Sequence, residues 1–151
     1  MRSTTRRDFL IASAAACGAV GPVTALAVDP LNPLRAAIIG HTGRGNYGHG
    51  LDVVWTGIPG MQVVAVADRD EAGRAKAMAA SGALRQYADY RQMLESERPD
   101  YVSVAPRWTD QRKDMLLAAI KAGANVYSEK PFAAGLSEAD EVLAAAERAG
   151  V

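Results

Sequence analysis

The chain has 151 residues, enough for one ordinary domain, and its 49% hydrophobic and 23% charged content excludes a disordered chain. Lysine plus arginine and aspartate plus glutamate each number 17, so no excess of positive charge supports a nucleic-acid surface. A single cysteine, Cys17, excludes a disulfide framework, and the two histidines, His41 and His49, belong to no cluster with metal-ligand spacing.

Residues 1–27 have the plan of an export signal. Thr5-Arg6-Arg7-Asp8-Phe9-Leu10 precedes an apolar, small-residue run from Ile11 to Val20, and Ala25-Leu26-Ala27 offers a cleavage site. The paired arginines followed by Phe-Leu resemble a bacterial twin-arginine signal, which implies export to the periplasm of a protein already folded around its cofactor. The apolar run is too short to span a bilayer comfortably and Pro22 breaks it, so no stable membrane anchor is expected. Cleavage removes three of the 17 bases and one of the 17 acids, leaving 14 and 16 in a mildly acidic mature chain.

Residues 28–33 form a turn-rich linker containing Asp29-Pro30 and Asn32-Pro33, and residues 34–151 form the domain. A first strand is expected over Leu34 to Ile39, then a glycine-rich turn, then a helix over Tyr47 to Thr56 that Gly57 ends. Met61 to Asp68 is nearly continuous apolar and β-branched, the signature of a strand covered on both faces. Asp70 caps an alanine-rich helix to Ala80, Leu84 to Tyr87 makes a short third strand, and Asp89 caps a helix that Pro99 terminates. Asp100 to Pro106 is a fourth strand, Asp110 caps a helix to Ala122, and Asn125 to Ser128 is a fifth strand. Ser137-Glu138-Ala139-Asp140 opens the last helix as a capping box, and Gly150 ends it. Strand and helix alternating at these spacings predict an α/β fold with a doubly wound parallel sheet of the Rossmann type.

Strand, glycine turn, helix is the opening of a dinucleotide-binding βαβ unit, in which the backbone approaches a pyrophosphate and a helix N-terminus receives its charge. Gly43-Arg44-Gly45-Asn46-Tyr47-Gly48 satisfies the glycine fingerprint literally but starts three residues past the strand. In the alternative register Gly40 is the first glycine, Thr42 stands at the second and Gly45 at the third, and this one places the first glycine at the strand end. An ordinary flexible turn would also carry such glycines. Asp68 lies 28 residues after Gly40 at the end of the second strand, where a carboxylate accepts hydrogen bonds from an adenosine ribose. It disfavours a 2′-phosphate by repulsion, whereas Arg69 beside it can pair with one, so NAD and NADP both remain open. Pro106, Arg107 and Trp108 follow the fourth strand, where they either line a nicotinamide pocket or pack under the next helix. Glu129-Lys130-Pro131 follows the fifth strand, where a lysine points into the ligand crevice, although an ordinary surface turn also uses Glu, Lys and Pro.

Together the glycine loop, Ala67-Asp68, Pro99 to Ala105 and Ala122 to Pro131 resemble the glucose–fructose oxidoreductase, inositol dehydrogenase and rhizopine-catabolism (Gfo/Idh/MocA) family over Arg35 to Gly150. The resemblance implies an NAD(P)-dependent oxidoreductase that moves hydride to or from a sugar, cyclitol or related polyol. It implies that Lys130 binds and polarises the reacting oxygen, the catalytic role. It assigns Gly40, Thr42, Gly43, Arg44, Gly45, Asp68 and Arg69 to the cofactor, with Pro106, Arg107, Glu129 and Pro131. Two departures stand out: Thr42 replaces a glycine, and the segment Trp108 to Arg112 lacks the histidine often found near the start of that helix.

Members of the family carry a second α/β domain that supplies a catalytic histidine and most substrate contacts, and a sixth strand would be expected at Val151. A truncated chain is therefore expected, whose parallel sheet seeks a second copy or a partner chain. The alternative to a complete enzyme's cofactor domain is a non-catalytic exported dinucleotide-binding module or fragment that needs a partner chain.

Overall fold

A computed structural model describes residues 32–151. The expected signal, its cleavage site and most of the expected linker lie outside the described residues. Five strands alternate with four helices: β1 (Leu34–Ile39), β2 (Met61–Ala67), α1 (Glu71–Ser81), β3 (Arg85–Tyr87), α2 (Tyr90–Glu97), β4 (Tyr101–Val104), α3 (Arg112–Lys121), β5 (Asn125–Ser128) and α4 (Leu136–Ala149). All pairings are parallel and the strand order is β3-β2-β1-β4-β5, the doubly wound arrangement expected. A register shift between Ala36 and Ala37 makes Val64 the extra residue of a bulge in β2.

Because β1, β2 and β4 are apolar on both sides, the sheet is covered on both faces. One face carries Ala37, Ile39, Val102 and Val104 and packs against Met93 and Leu94 of α2, Met115 and Leu116 of α3, and Val142 of α4. The other carries Ile38, Val63 and Val66 and is covered by Ala77 of α1 together with Tyr47 and Trp55.

Tyr47 and Trp55 do not sit on a helix. The helix expected over Tyr47 to Thr56 is absent: residues 42–57 run through successive turns, apart from a bridge at Asn46 and a bend at Val53. Asn46, Gly48 and Gly50 have positive φ, which right-handed helix cannot continue. The Ser103 hydroxyl, itself buried, donates to the Leu51 carbonyl at 3.0 Å and fastens this segment to the sheet.

The expected caps divide. Asp70 accepts from the Gly73 amide at 2.7 Å, and Asp89 accepts from the Arg91 amide at 2.8 Å, both as N-caps. Asp110 does not cap α3: the cap residue is Gln111, without a side-chain bond, because the Asp110 carboxylate pairs with Arg44 instead. Ser137 does not cap α4 either. The chain enters that helix through extended Gly135, and Glu138 reaches back to the Ala134 amide at 3.1 Å.

Candidate functional site: the carboxyl edge of the sheet

The order β3-β2-β1-β4-β5 reverses direction between β1 and β4, so the loops leaving these two strands diverge to opposite faces and open a crevice. Three amides extend the ladder past the strand ends and fix the loops at a common level. Gly40 donates to Ala67 at 2.8 Å, Ala105 to Ile39 at 2.9 Å, and Glu129 to Val104 at 2.9 Å. The glycine loop, the Pro106 loop and the Glu129-Lys130-Pro131 turn therefore share one edge.

The glycine loop lies against the other two. A Cβ at Gly48, whose φ is +60°, would overlap the Glu129 carboxylate and the Ala105 carbonyl oxygen. A Cβ at Gly45 would likewise collide with the backbone of Arg107. Arg44 crosses the crevice, pairing with Asp110 and lying over the Trp108 ring at 5.2 Å from its centroid. With no helix following the loop, the dipole end expected to receive a pyrophosphate is not there; the Gly43 amide donates to the Asn46 side chain at 2.9 Å and the Arg44 amide to the His41 carbonyl at 3.0 Å. Thr42 turns inward: its amide and hydroxyl both donate to Asp68 Oδ2 at 2.8 Å.

Asp68 is only 2% exposed. Besides the two bonds from Thr42, its Oδ1 accepts from the Asp70 amide at 3.0 Å. An ionised carboxylate has about four acceptor positions; these bonds fill three, and the Tyr47 phenol also lies against it. A cleft bounded by Gly40, Ala67, Asp68, Arg69 and Ala88 opens beside it, and Arg69 at its rim is exposed. Tyr47 stands on the far side of Gly40, and its phenol is pushed up by burial and by the Asp68 charge.

At the β5 end, Glu129 is 4% exposed. Its Oε2 accepts from the His49 amide at 2.6 Å and contacts His49 Nδ1 at 2.8 Å, and its Oε1 accepts from the Lys130 amide at 2.8 Å. Burial alone would raise this carboxyl, but the His49 ring and the two amides outweigh it and hold the group below the usual carboxylate range. Arg112 is 1% exposed. Its Nη1 donates to the Glu129 carbonyl at 2.8 Å and to the Pro131 carbonyl, and its Nη2 donates to the Pro106 carbonyl. Burial lowers this guanidinium's affinity for its proton, opposed by the nearby Glu129 charge. Lys130 sits between two anchored neighbours, exposed, with no hydrogen-bond partner for its Nζ among the described residues.

The structure thus brings Gly40, Thr42, Asp68 and Arg69 to one end of the edge and Pro106, Arg107, Glu129, Lys130 and Pro131 to the other, with Gly43, Arg44 and Gly45 running between them. Sequence reasoning passed over His49 and Arg112. His49 is 80 residues from its partner and carries no local signal. Arg112 does carry one: it falls on the buried stripe Arg112, Met115, Leu116, Ala119, Ile120, a charge at the spacing of an apolar helix face.

A parallel, doubly wound sheet with a glycine loop and a buried acid at the ends of its first two strands defines a Rossmann-type dinucleotide-binding domain. Comparison with known proteins specifies the group. Residues 34–151 match the family model described as "Oxidoreductase family, NAD-binding Rossmann fold", and the chain belongs to that Gfo/Idh/MocA family. D-apiose dehydrogenase of Paraburkholderia graminis is 39% identical over 97 residues, which are 64% of this chain and 26% of that protein. The crystal structure of myo-inositol 2-dehydrogenase from Lactobacillus plantarum is 33% identical, with a TM-score of 0.62, covering 77% of this chain and 33% of that one. That of GenD2 from gentamicin A biosynthesis, in complex with NAD, is 27% identical, with a TM-score of 0.69, covering 82% and 34%. The chain therefore spans about a quarter to a third of the relatives it matches. Residues 1–33 match a twin-arginine signal model, that of the ubiquinol–cytochrome c reductase iron–sulfur subunit. No helix among the described residues is long and apolar enough to cross a membrane.

Proposed function

We propose that this chain is the cofactor-binding domain of an exported NAD(P)-dependent oxidoreductase that acts on a sugar, cyclitol or related polyol. The observation that carries the reading is the shared edge: the glycine loop and Asp68 at one end, and at the other a solvated lysine whose two neighbours are both fastened. The residues fit a dinucleotide. Asp68 lines the cleft beside Gly40, which gives an adenosine ribose access to its carboxylate. Gly40, Thr42, Gly43, Arg44 and Gly45 would border the diphosphate, with charge from the Arg44 side chain in place of a helix dipole. Pro106, Arg107, Glu129 and Pro131 would border the nicotinamide end.

When bound, the nicotinamide supplies the hydride acceptor or donor. Lys130 hydrogen-bonds the reacting oxygen of the polyol and stabilises negative charge as it develops there. Its fixed backbone directs the ammonium, and its solvated side chain leaves it free to meet a substrate. The names of the D-apiose and myo-inositol dehydrogenases support a polyol as that substrate. The twin-arginine match supports delivery to the periplasm after folding.

Titration of the purified chain with NADH and NADPH tests the cofactor part. NADH is expected to bind more tightly than NADPH, because the buried Asp68 charge opposes a 2′-phosphate that the exposed Arg69 only partly offsets. Binding of neither nucleotide would overturn the reading.

A further inference from the structure

We infer that Arg112 is a positioning residue for the reactive end of the site, holding the nicotinamide-side loop and the Lys130 turn as one unit. This rests on the cofactor reading above. A guanidinium offers five N–H donors in a rigid planar fork, and a buried one must direct them at acceptors. Here the acceptors are carbonyls from two separate loops: Pro106 after β4, and Glu129 with Pro131 after β5. The two carbonyls from β5 flank Lys130 on both sides, so the residue that meets substrate is the unclamped middle of a clamped tripeptide. The carbonyl from β4 is that of the residue immediately before Arg107.

The chemistry of this choice is unusual for a purely structural tie. A buried cation without a carboxylate directly on it costs desolvation free energy, and here only neutral carbonyls take its hydrogen bonds. Its Nε has no partner among the described residues. An apolar side chain at this helix position would continue the stripe of Met115, Leu116 and Ala119 and fill the same space without that cost. What it could not do is couple the two loops. The Asp68 carboxylate takes its hydrogen bonds from Thr42 and Asp70 and none from Arg112, so the adenosine end of the site is held independently of the clamp.

The test compares a whole cofactor with its adenosine half. The full chain and its Arg112→Met and Arg112→Lys variants are titrated with NADH and with ADP, and hydrogen exchange is followed in peptides covering 105–108, 129–131 and 67–70. Arg112→Met is expected to weaken NADH about tenfold or more while ADP changes less than about twofold, and to speed exchange in 105–108 and 129–131 together but not in 67–70. Arg112→Lys, which keeps the charge and loses the fork, is expected to fall between and serves if the methionine variant does not fold. Parallel weakening of NADH and ADP, or no change in either, would overturn the positioning role. Failure of the unsubstituted chain to bind NADH and ADP would overturn the cofactor reading, whereas unchanged exchange in 105–108 and 129–131 would overturn the tie between the two loops.

Discussion

Two glutamates are buried to the same degree at opposite ends of the sheet, and they are held by different means. Glu97, at the amino edge, closes α2 and receives Arg85 and Arg35 from β3 and β1, the latter at 2.9 Å, together with the Tyr87 hydroxyl at 2.5 Å. Hydrogen bonding to Arg85 leads the causes that bring its carboxyl down to about 2, against an opposing contribution from burial. Glu129, at the carboxyl edge, receives a histidine ring and two backbone amides. Permanent cations fasten the amino edge. The carboxyl edge, where the proposed site lies, is fastened by loop amides, a ring and a guanidinium on carbonyls, all of which report the positions of the loops themselves.

The largest expected effect breaks the first of these. Glu97→Gln should destabilise the fold by about 2–3 kcal/mol, the value of a carboxyl lowered from 4.5 to about 2 reduced for partly solvated arginines. The sign follows from the depressed value: the stabilisation is complete above the unfolded carboxyl's 4.5 and is lost as pH falls toward 2. Urea melts of the parent between pH 5 and pH 2 should therefore lose stability that the variant lacks already. Equal slopes for the two would contradict the account.

Next comes Glu129→Gln, expected to cost about 1–2 kcal/mol because it loses charge-assisted bonds to His49 and to the Lys130 amide. Unlike Glu97→Gln, it should also weaken NADH in a titration at neutral pH. A stability loss with unchanged NADH affinity would make the two carboxylates equivalent. His49→Ala sharpens the contrast further: about 1 kcal/mol of stability, since the amide bond to Glu129 survives, measured by thermal melts against the parent. Smallest is Lys130→Met, expected to change stability by less than about 0.5 kcal/mol and NADH affinity by less than about threefold, because its ammonium is solvated. A larger stability change would place Lys130 in the fold rather than at a substrate.

The strands and most helices were legible because they depend on local patterns. Met61 to Ala67 is apolar but for Gln62 and reads as a strand covered on both sides, and Asp70 and Asp89 stand one residue ahead of helical runs. What was misread depends on distant partners. The run after the glycines reads as helix until Gly48 is seen pressed against Ala105 and Glu129, just past strands far along the chain, an approach that leaves no room for a Cβ. Asp110 has the chemistry of a cap, yet a cation 66 residues away takes its carboxylate. At the site, the glycines, Asp68 and Lys130 were visible as residue types at strand ends. Thr42 was visible as a departure whose purpose, a pair of bonds to Asp68, only the fold reveals.

The most direct test of the central claim is a crystal structure of this chain with NAD bound. The account predicts the adenosine ribose at hydrogen-bond distance from Asp68, the diphosphate over residues 40–45, and the nicotinamide between Arg107 and Lys130. A nucleotide lodged elsewhere, or one whose ribose makes no contact with Asp68, would contradict it.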